Sequence, residues 1–192
     1  PDEKRILELV IDGIMDNLTP EIAIIYLFDR EREELYPSLS RGIKIEEISK
    51  ERIKSGEFIS GLCFEKGELI EIEIGKERDS LEPFLRKYPI KKVICHPIKS
   101  YNRILGVIQI SKFSSFTLTE EEKWILTIFA NRAGVAIESA DLYRELELWG
   151  KSLEKKVEER TREIQEHLER IKALEKITLK ISSEMNLSKS LP

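Results

Sequence analysis

Few side chains in this sequence have the chemistry for a reactive site. The chain holds two cysteines and two histidines, at Cys63, Cys95, His96 and His167. Two thiols are too few for a disulfide framework or an unaided four-ligand zinc site. A reactive thiol needs a lowered pKa, and no basic cluster adjoins Cys63 in SGLCFEKG, so it reads as a buried small hydrophobe. Cys95 and His96 are neighbours within the apolar run KKVICHPIKS. An imidazole can bind haem iron, but a structural or pocket-lining histidine is the expectation for His96. His167, in IQEHLERI, is expected at the edge of a helical seam or facing solvent. Arg78, Asp79, Arg86 and Tyr88 crowd into RDSLEPFLRKY, where a charged surface loop is the simplest reading. No Gly-rich phosphate loop, zinc spacing or catalytic triad is visible.

Composition bounds what could position these groups. Hydrophobic residues make up 41%, enough for a packed core, and charged residues 35%, enough for a long solvated surface. The net charge of −4 offers no basic footprint for nucleic acid. No run approaches about 18 apolar residues, so no membrane-spanning helix is expected. The opening PDEKRILELV is charged and then amphipathic, unlike a secretory leader. A reducing cytoplasm is the expected setting. Because the chain starts at Pro1, it is expected to be a piece of a longer protein.

The long stretch from Thr119 to Ser183 organises the rest. It contains no Pro and only Gly134 and Gly150. As one helix, its roughly 65 residues would span on the order of 100 Å. Thr119 followed by Glu122 is a capping box at its start. Ile125, Ile128, Phe129, Arg132, Ala136 and Ala140 lie near one face, with Trp124, Asn131 and Val135 beside it, and Ala130, Ala133 and Gly134 allow close approach. Heptad-like spacing then takes over at Leu142, Leu146, Trp149, Leu153, Val157, Ile164, Leu168 and Ile171. Consecutive four-residue steps at 149–161 read as a stutter. The expectation is a helix that packs on a globular domain and continues as a coiled coil.

Before that helix, DEKRILELVIDGIMDN reads as an amphipathic helix with Ile6, Leu9, Val10, Gly13, Ile14 and Asn17 on its stripe. IAIIYLF (22–28) reads as a buried strand and LYPSLS (35–40) as its hairpin partner. Residues 44–56 read as a helix and FISGLCFEKG as irregular. Residues 68–74 read as a strand with Ile70, Ile72 and Ile74 on one face and Leu69 set apart, and Ser80–Lys87 as a short helix. Residues 91–100 and 103–113 form a second hairpin. The sum is an α+β domain around a mostly antiparallel sheet.

This order of motifs resembles the GAF domain family of sensor modules. The stretches that carry it are ILELVIDGIMDNL, IAIIYLFD, SGEFISGLCFEKGELIEI, VICHPI, ILGVIQISK and FTLTEEEKWILTIFANRAGVAIESADLYREL. The resemblance implies a sheet with a ligand pocket on one face and the first and last helices packed on the other, often building a dimer. Residues 148–180 look like the helical linkers of sensor histidine kinases and nucleotide cyclases, and ALEKITLKISSEMNLSKSL looks like the start of a following domain. Phytochrome-like members attach a bilin through a Cys followed by His, but there the pair precedes the strand, whereas here Cys95-His96 lies on it. Ser111-Lys112, Phe116 and Glu120-Glu121 resemble the motif of cyclic-nucleotide-binding members, with Ser replacing Asn and Glu replacing Asp. Its expected role is an ion pair from Lys112 to Glu120 or Glu121, tying the last strand to the closing helix. Cys63 resembles one cysteine of the GAF-fold free methionine sulfoxide reductases, whose other cysteines have no counterpart here. His167 is followed by Leu168, not by the acidic residue that directly follows a kinase phosphoacceptor.

The sequence therefore leads to a GAF-like antiparallel sheet with flanking helices over residues 1–147. A coiled-coil signalling helix over 148–180 and the start of a following domain or linker over 181–192 come after it. The expected role is non-catalytic: sensing, dimerisation through the first and last helices and the coiled coil, and transmission of a signal. The sequence names no cofactor and requires none. A small-molecule ligand would be met by Cys63, Arg78, Asp79, Arg86, Tyr88 and His96. The alternatives are a ligand-free dimerising spacer and a reductase.

Overall fold

In the computed structural model, which describes residues 3–76, 78–101 and 103–188 with side chains to residue 181, alternation along the strands sorts the core into two layers. The elements are α1 (Glu3–Leu18), β1 (Ile22–Asp29), β2 (Glu34–Arg41), α2 (Ile45–Ile48), β3 (Ile53–Lys54), α3 (Phe58–Lys66), β4 (Ile70–Glu73), a 3-10 turn (Pro83–Leu85), β5 (Lys92–Ser100), β6 (Arg103–Lys112) and α4 (Glu120–Ser188). All pairings are antiparallel, and the six-stranded sheet runs β3-β2-β1-β6-β5-β4.

Along β1, Ala23, Ile25 and Leu27 point to one face and Ile22, Ile24 and Tyr26 to the other. A period of two requires this. The first face meets α1 through Leu7, Val10, Ile11 and Ile14, and α4 through Leu126, Ala130, Ala133 and Ile137. The second face is covered by Ile48 of α2, Ile59 and Cys63 of α3, and Leu81 and Leu85 from the connection before β5. The expected alternation in β4 holds, with Leu69 packed on the first face and Ile70 and Ile72 on the second.

Several local expectations give way to packing. The helix expected over 44–56 ends at Ile48, and beyond it the Arg52 guanidinium donates to the carbonyls of Ser49 and Glu51. Ile53 then pairs with Leu35 as an edge strand. FISGLCFEKG is helical, not irregular: a Cβ at Gly61 would overlap the Lys54 carbonyl oxygen. That close seat lets tertiary packing override weak propensity. The helix expected over Ser80–Lys87 shrinks to a 3-10 turn, with bonds from Leu85 N to Glu82 O (2.9 Å) and Tyr88 N to Leu85 O (3.1 Å). In α1 the buried stripe is Leu7, Val10, Ile11, Ile14 and Leu18, while Leu9 is exposed. In α4 the buried hydrophobic residues are Leu126, Ala130, Ala133, Ala136, Ile137 and Ala140, so the expected Ala136 and Ala140 are kept while Leu126 and Ile137 replace Ile125 and Ile128.

The chain divides into two units, Pro1–Asp141 and Leu142–Pro192. In the first, α4 starts at the expected capping box: Thr119 N donates to Glu122 Oε2 (2.8 Å) and Glu122 N to Thr119 Oγ1 (3.2 Å). In the second, every described side chain is exposed. Residues 181–188, expected to open a following domain or linker, are part of α4, and residues 189–192 lie outside the described residues.

Candidate functional site

The second face of the sheet holds a polar cluster within an apolar layer. Gln109 interrupts the run ILGVIQISK of β6, and its register places it between Ile24 of β1 and Cys95 of β5. Ser60 comes from the first turn of α3, and Glu82 from the residue before the 3-10 turn. Ser60 and Glu82 are 0% exposed and Gln109 1%. The Ser60 hydroxyl lies 2.6 Å from Glu82 Oε1 and 2.9 Å from Gln109 Oε1, and Gln109 Nε2 donates to Glu82 Oε2 at 3.1 Å. Cys95 Sγ is 3.9 Å from Ser60 Oγ. Tyr26 of β1 is fully buried beside them, with Ser60, Glu82 and Cys95 acting on its hydroxyl, yet that hydroxyl completes no hydrogen bond of good geometry. Burial pushes the Glu82 carboxyl and the Tyr26 phenol up from their ordinary values. A hydroxyl, an amide, a carboxyl and a phenol are thus gathered within an apolar layer.

The six pocket residues expected from sequence divide among three places. Cys63 does join this layer. It is buried, its thiol donates to Glu68 O at 3.2 Å, and burial pushes its pKa up to about 12. Arg78, Asp79, Arg86 and Tyr88 belong to the segment that covers the layer, but the guanidinium groups are used within that segment. Arg78 donates to Tyr88 O (2.6 Å) and Ile90 O (3.3 Å), and Arg86 to Leu81 O and Asp79 O (both 3.1 Å). Tyr88 stacks on Phe113 with centroids 6.4 Å apart. His96 is on the first face, away from this layer. Alternation turns it away from Cys95 and under α4, where Nε2 lies 3.2 Å from Thr127 Oγ1 and Nδ1 donates to Pro97 O at 2.8 Å. Burial lowers its pKa.

The expected tie from Lys112 to Glu120 or Glu121 is replaced. Lys112 Nζ donates to Leu18 O at 3.1 Å and sits 4.2 Å from the centre of the Phe116 ring, while Glu120 pairs with Lys123 at 2.9 Å. Leu18 is the last residue of α1, whose unpaired carbonyls attract a cation. The tie thus joins β6 to α1 and leaves α4 out. Ser60, Glu82 and Gln109 were not singled out in the sequence. The one available signal was a polar residue at an inward position of an apolar strand, which Gln109 supplies.

In the second unit the expected seam residues Leu142, Leu146, Trp149, Leu153, Val157, Ile164, Leu168 and Ile171 are all exposed, Trp149 to 78%. Among the described residues, no group of acidic, His or Cys side chains is placed to hold a metal ion, and no helix is long and apolar enough to cross a membrane.

The GAF domain family matches residues 1–138. No curated protein matches the sequence significantly. Among solved structures, the chain is similar to the GAF domain of a phosphoenolpyruvate-protein phosphotransferase from Coxiella burnetii, with TM-score 0.68 and 22% identity over 76% of this chain and 88% of that one. It is similar to the GAF domain of a two-component sensor histidine kinase from Bacillus halodurans, with TM-score 0.61 and 19% identity over 72% and 95%. A type II free methionine-R-sulfoxide reductase from Thermoplasma acidophilum gives TM-score 0.58 and 14% identity over 72% and 96%. At these identities the likeness is one of fold. The match over residues 1–138 takes in the whole sheet, α1, α2, α3 and the start of α4, and the chain belongs to the GAF domain family.

Proposed function

We propose that this GAF domain is a non-catalytic sensory and regulatory module of a cytoplasmic signalling protein, a sensor histidine kinase or similar multidomain sensor. It pairs with a second copy of itself and passes a conformational signal along α4. The observation that carries this reading is the exposed apolar seam of the second unit. Burying one Leu or Val side chain is worth about 1.5–3 kcal/mol. Four- and three-residue spacing of such side chains suits the same seam on a second copy, knob into hole. The stutter over 149–161 is where a change of twist would enter.

The non-catalytic part of the reading is supported by the thiols. Cys63 and Cys95 are both buried, and burial raises both pKa values, Cys63 to about 12. Such thiols stay protonated and poorly nucleophilic near neutral pH. A small-molecule ligand would be taken on the second face of the sheet, at the cluster around Ser60 and Gln109. A ligand-free spacer is the second reading, favoured by the way Ser60, Glu82 and Gln109 satisfy one another.

Native mass spectrometry of gently purified chain tests both. A dimer carrying extra mass supports the sensor, and a bare dimer supports the spacer. A monomer at micromolar concentration refutes pairing. Leu146→Asp with Leu153→Asp should turn the dimer into monomer.

A further inference from the structure

The contacts among Ser60, Glu82 and Gln109 form a closed triangle of 2.6, 2.9 and 3.1 Å. Each side needs one hydrogen between its heavy atoms. The amide edge of Gln109 supplies one and the Ser60 hydroxyl supplies one. The third has to come from Glu82. Turning the Gln109 amide over exchanges its oxygen and nitrogen but leaves the count unchanged. The amide then donates to Ser60, Ser60 donates to one carboxyl oxygen, and the other carboxyl oxygen must donate to the amide oxygen. With an ionised Glu82, one side always holds two oxygens with no hydrogen between them.

The surroundings agree. Tyr26 of β1 and Cys95 of β5 face the triangle, Cys63 of α3 stands beyond Cys95, and Glu51 acts on Tyr26. All of these are acids. Among the described residues no lysine, arginine or histidine pairs with Glu82. The backbone N–H groups of Glu82 and Ser60 act on the carboxyl alongside the Ser60 and Gln109 side chains and favour its ionised form, but burial outweighs them, and a buried carboxylate without a cation is strongly disfavoured.

We propose that Glu82 is a neutral carboxylic acid in the folded protein at neutral pH, and that its proton latches segment 78–91 to α3 and β6 over the second face of the sheet. Loss of the proton leaves facing oxygens in a dry layer, and the relief is for the segment to lift and let water reach Glu82. Arg78 and Arg86 bond to carbonyls of the segment itself, so it lifts as one piece. Its further ties to the neighbouring structure include Ile59 N to Ser80 O (3.1 Å) and Ile74 N to Lys91 O (2.7 Å). This inference stands on the triangle alone and does not depend on the pairing of chains or on a ligand.

Glu82→Gln is the informative variant, because a neutral amide of the same shape fills the same triangle with hydrogens to spare. Three measurements on the full chain decide the matter. In the infrared difference between wild type and Glu82→Gln at neutral pH, the C=O band of a protonated acid is expected, and a carboxylate band in its place would overturn the proposal. In urea unfolding, a raised native pKa means stability that is whole below the ordinary carboxyl value of 4.5 and is lost as pH rises towards the native value. The unfolding constant of wild type should therefore gain on that of Glu82→Gln by up to about tenfold per pH unit within that window. A constant ratio across pH, or a Glu82→Gln chain that does not fold, would overturn it. In hydrogen exchange at matched pH, residues 81–91 of wild type should lose protection relative to Glu82→Gln as pH rises, while α1 does not. Equal protection at every pH would show that the proton latches nothing.

Discussion

Gly134 and Gly150 lie on the same helix, and the same substitution should act on them with opposite sign. A Cβ built on Gly134 would overlap the carbonyl oxygen of Lys99 in β5 and lie 3.0 Å from its carbonyl carbon, while at Gly150 nothing lies within 4 Å. The oxygen is the tighter contact, so α4 must retreat from the sheet by roughly 1 Å to restore an ordinary separation. The obstacle is main chain and cannot rotate away, because Lys99 is paired with Ile104 of β6. The retreat opens a gap along Leu126, Ala130, Ala133 and Ile137, all buried against the sheet, and forfeits about a quarter to a half of each dispersion well across it. Overpacking of this kind costs about 1–3 kcal/mol, and a main-chain obstacle belongs at the upper end. Replacing Gly by Ala inside a helix returns about 1 kcal/mol. Gly134→Ala should therefore lose about 2 kcal/mol, a fall in Tm of about 4–8 °C for a chain of this size. Gly150→Ala, with only the helical gain, should be more stable by about 1 kcal/mol. Urea unfolding followed by circular dichroism and by Trp fluorescence measures both. If Gly134→Ala matched or exceeded wild type, the close seat of α4 on β5 would be refuted.

Other consequences follow from individual side chains. Thr119→Ala removes the Oγ1 acceptor for Glu122 N and should cost about 1 kcal/mol, read as a lower urea midpoint with an unchanged slope. His96 has its pKa lowered by burial and by Lys99, against the Pro97 carbonyl. The unfolded chain therefore takes up the proton first, and stability present above pH 6.5 is lost as pH falls below it. His96→Gln should lack that acid-side loss, and an imidazole NMR titration at the ordinary value would contradict the assignment. Cys63 and Cys95, both buried, should resist a thiol reagent in native buffer and react fully in urea. Prompt native labelling of Cys63 would mean that its thiol is accessible.

Much of the fold was legible because alternation and helical stripes are local. The strand IAIIYLF, the second hairpin, the Leu69/Ile70 split and the capping box at Thr119 all follow from patterns within a few residues. The misses have physical causes. In α1, apolar residues occur on more than one side, and only the tertiary partner selects Leu7 and Ile11 over Ile6 and Leu9. α3 forms because Gly61 fits against Lys54 O, a contact between segments that no window spans. At the site, adjacency misled: Cys95 and His96 look like a pair, but on a strand neighbours face opposite ways. Arg78 and Arg86 looked available because a sequence does not show backbone carbonyls. Glu82 looked like one more surface acid, and its burial depends on Ser60 and Gln109 arriving from far along the chain.

The strand order has a consequence for how the chain is made. The centre of the sheet joins β1 to β6, with Ile22 opposite Ser111 and Leu27 opposite Gly106. Closing a loop of roughly 80 residues costs about 2.5 kcal/mol more in chain entropy than closing one of about five, as in the β1–β2 hairpin. On the ribosome, β1 and β2 emerge early, yet the inner edge of β1 stays open until almost the whole domain has been synthesised. An exposed strand edge of this composition, IAIIYLF, is a template for unwanted pairing. A nascent chain stalled between residues 41 and 103 would hold that edge open, and the arrival of β6 closes it.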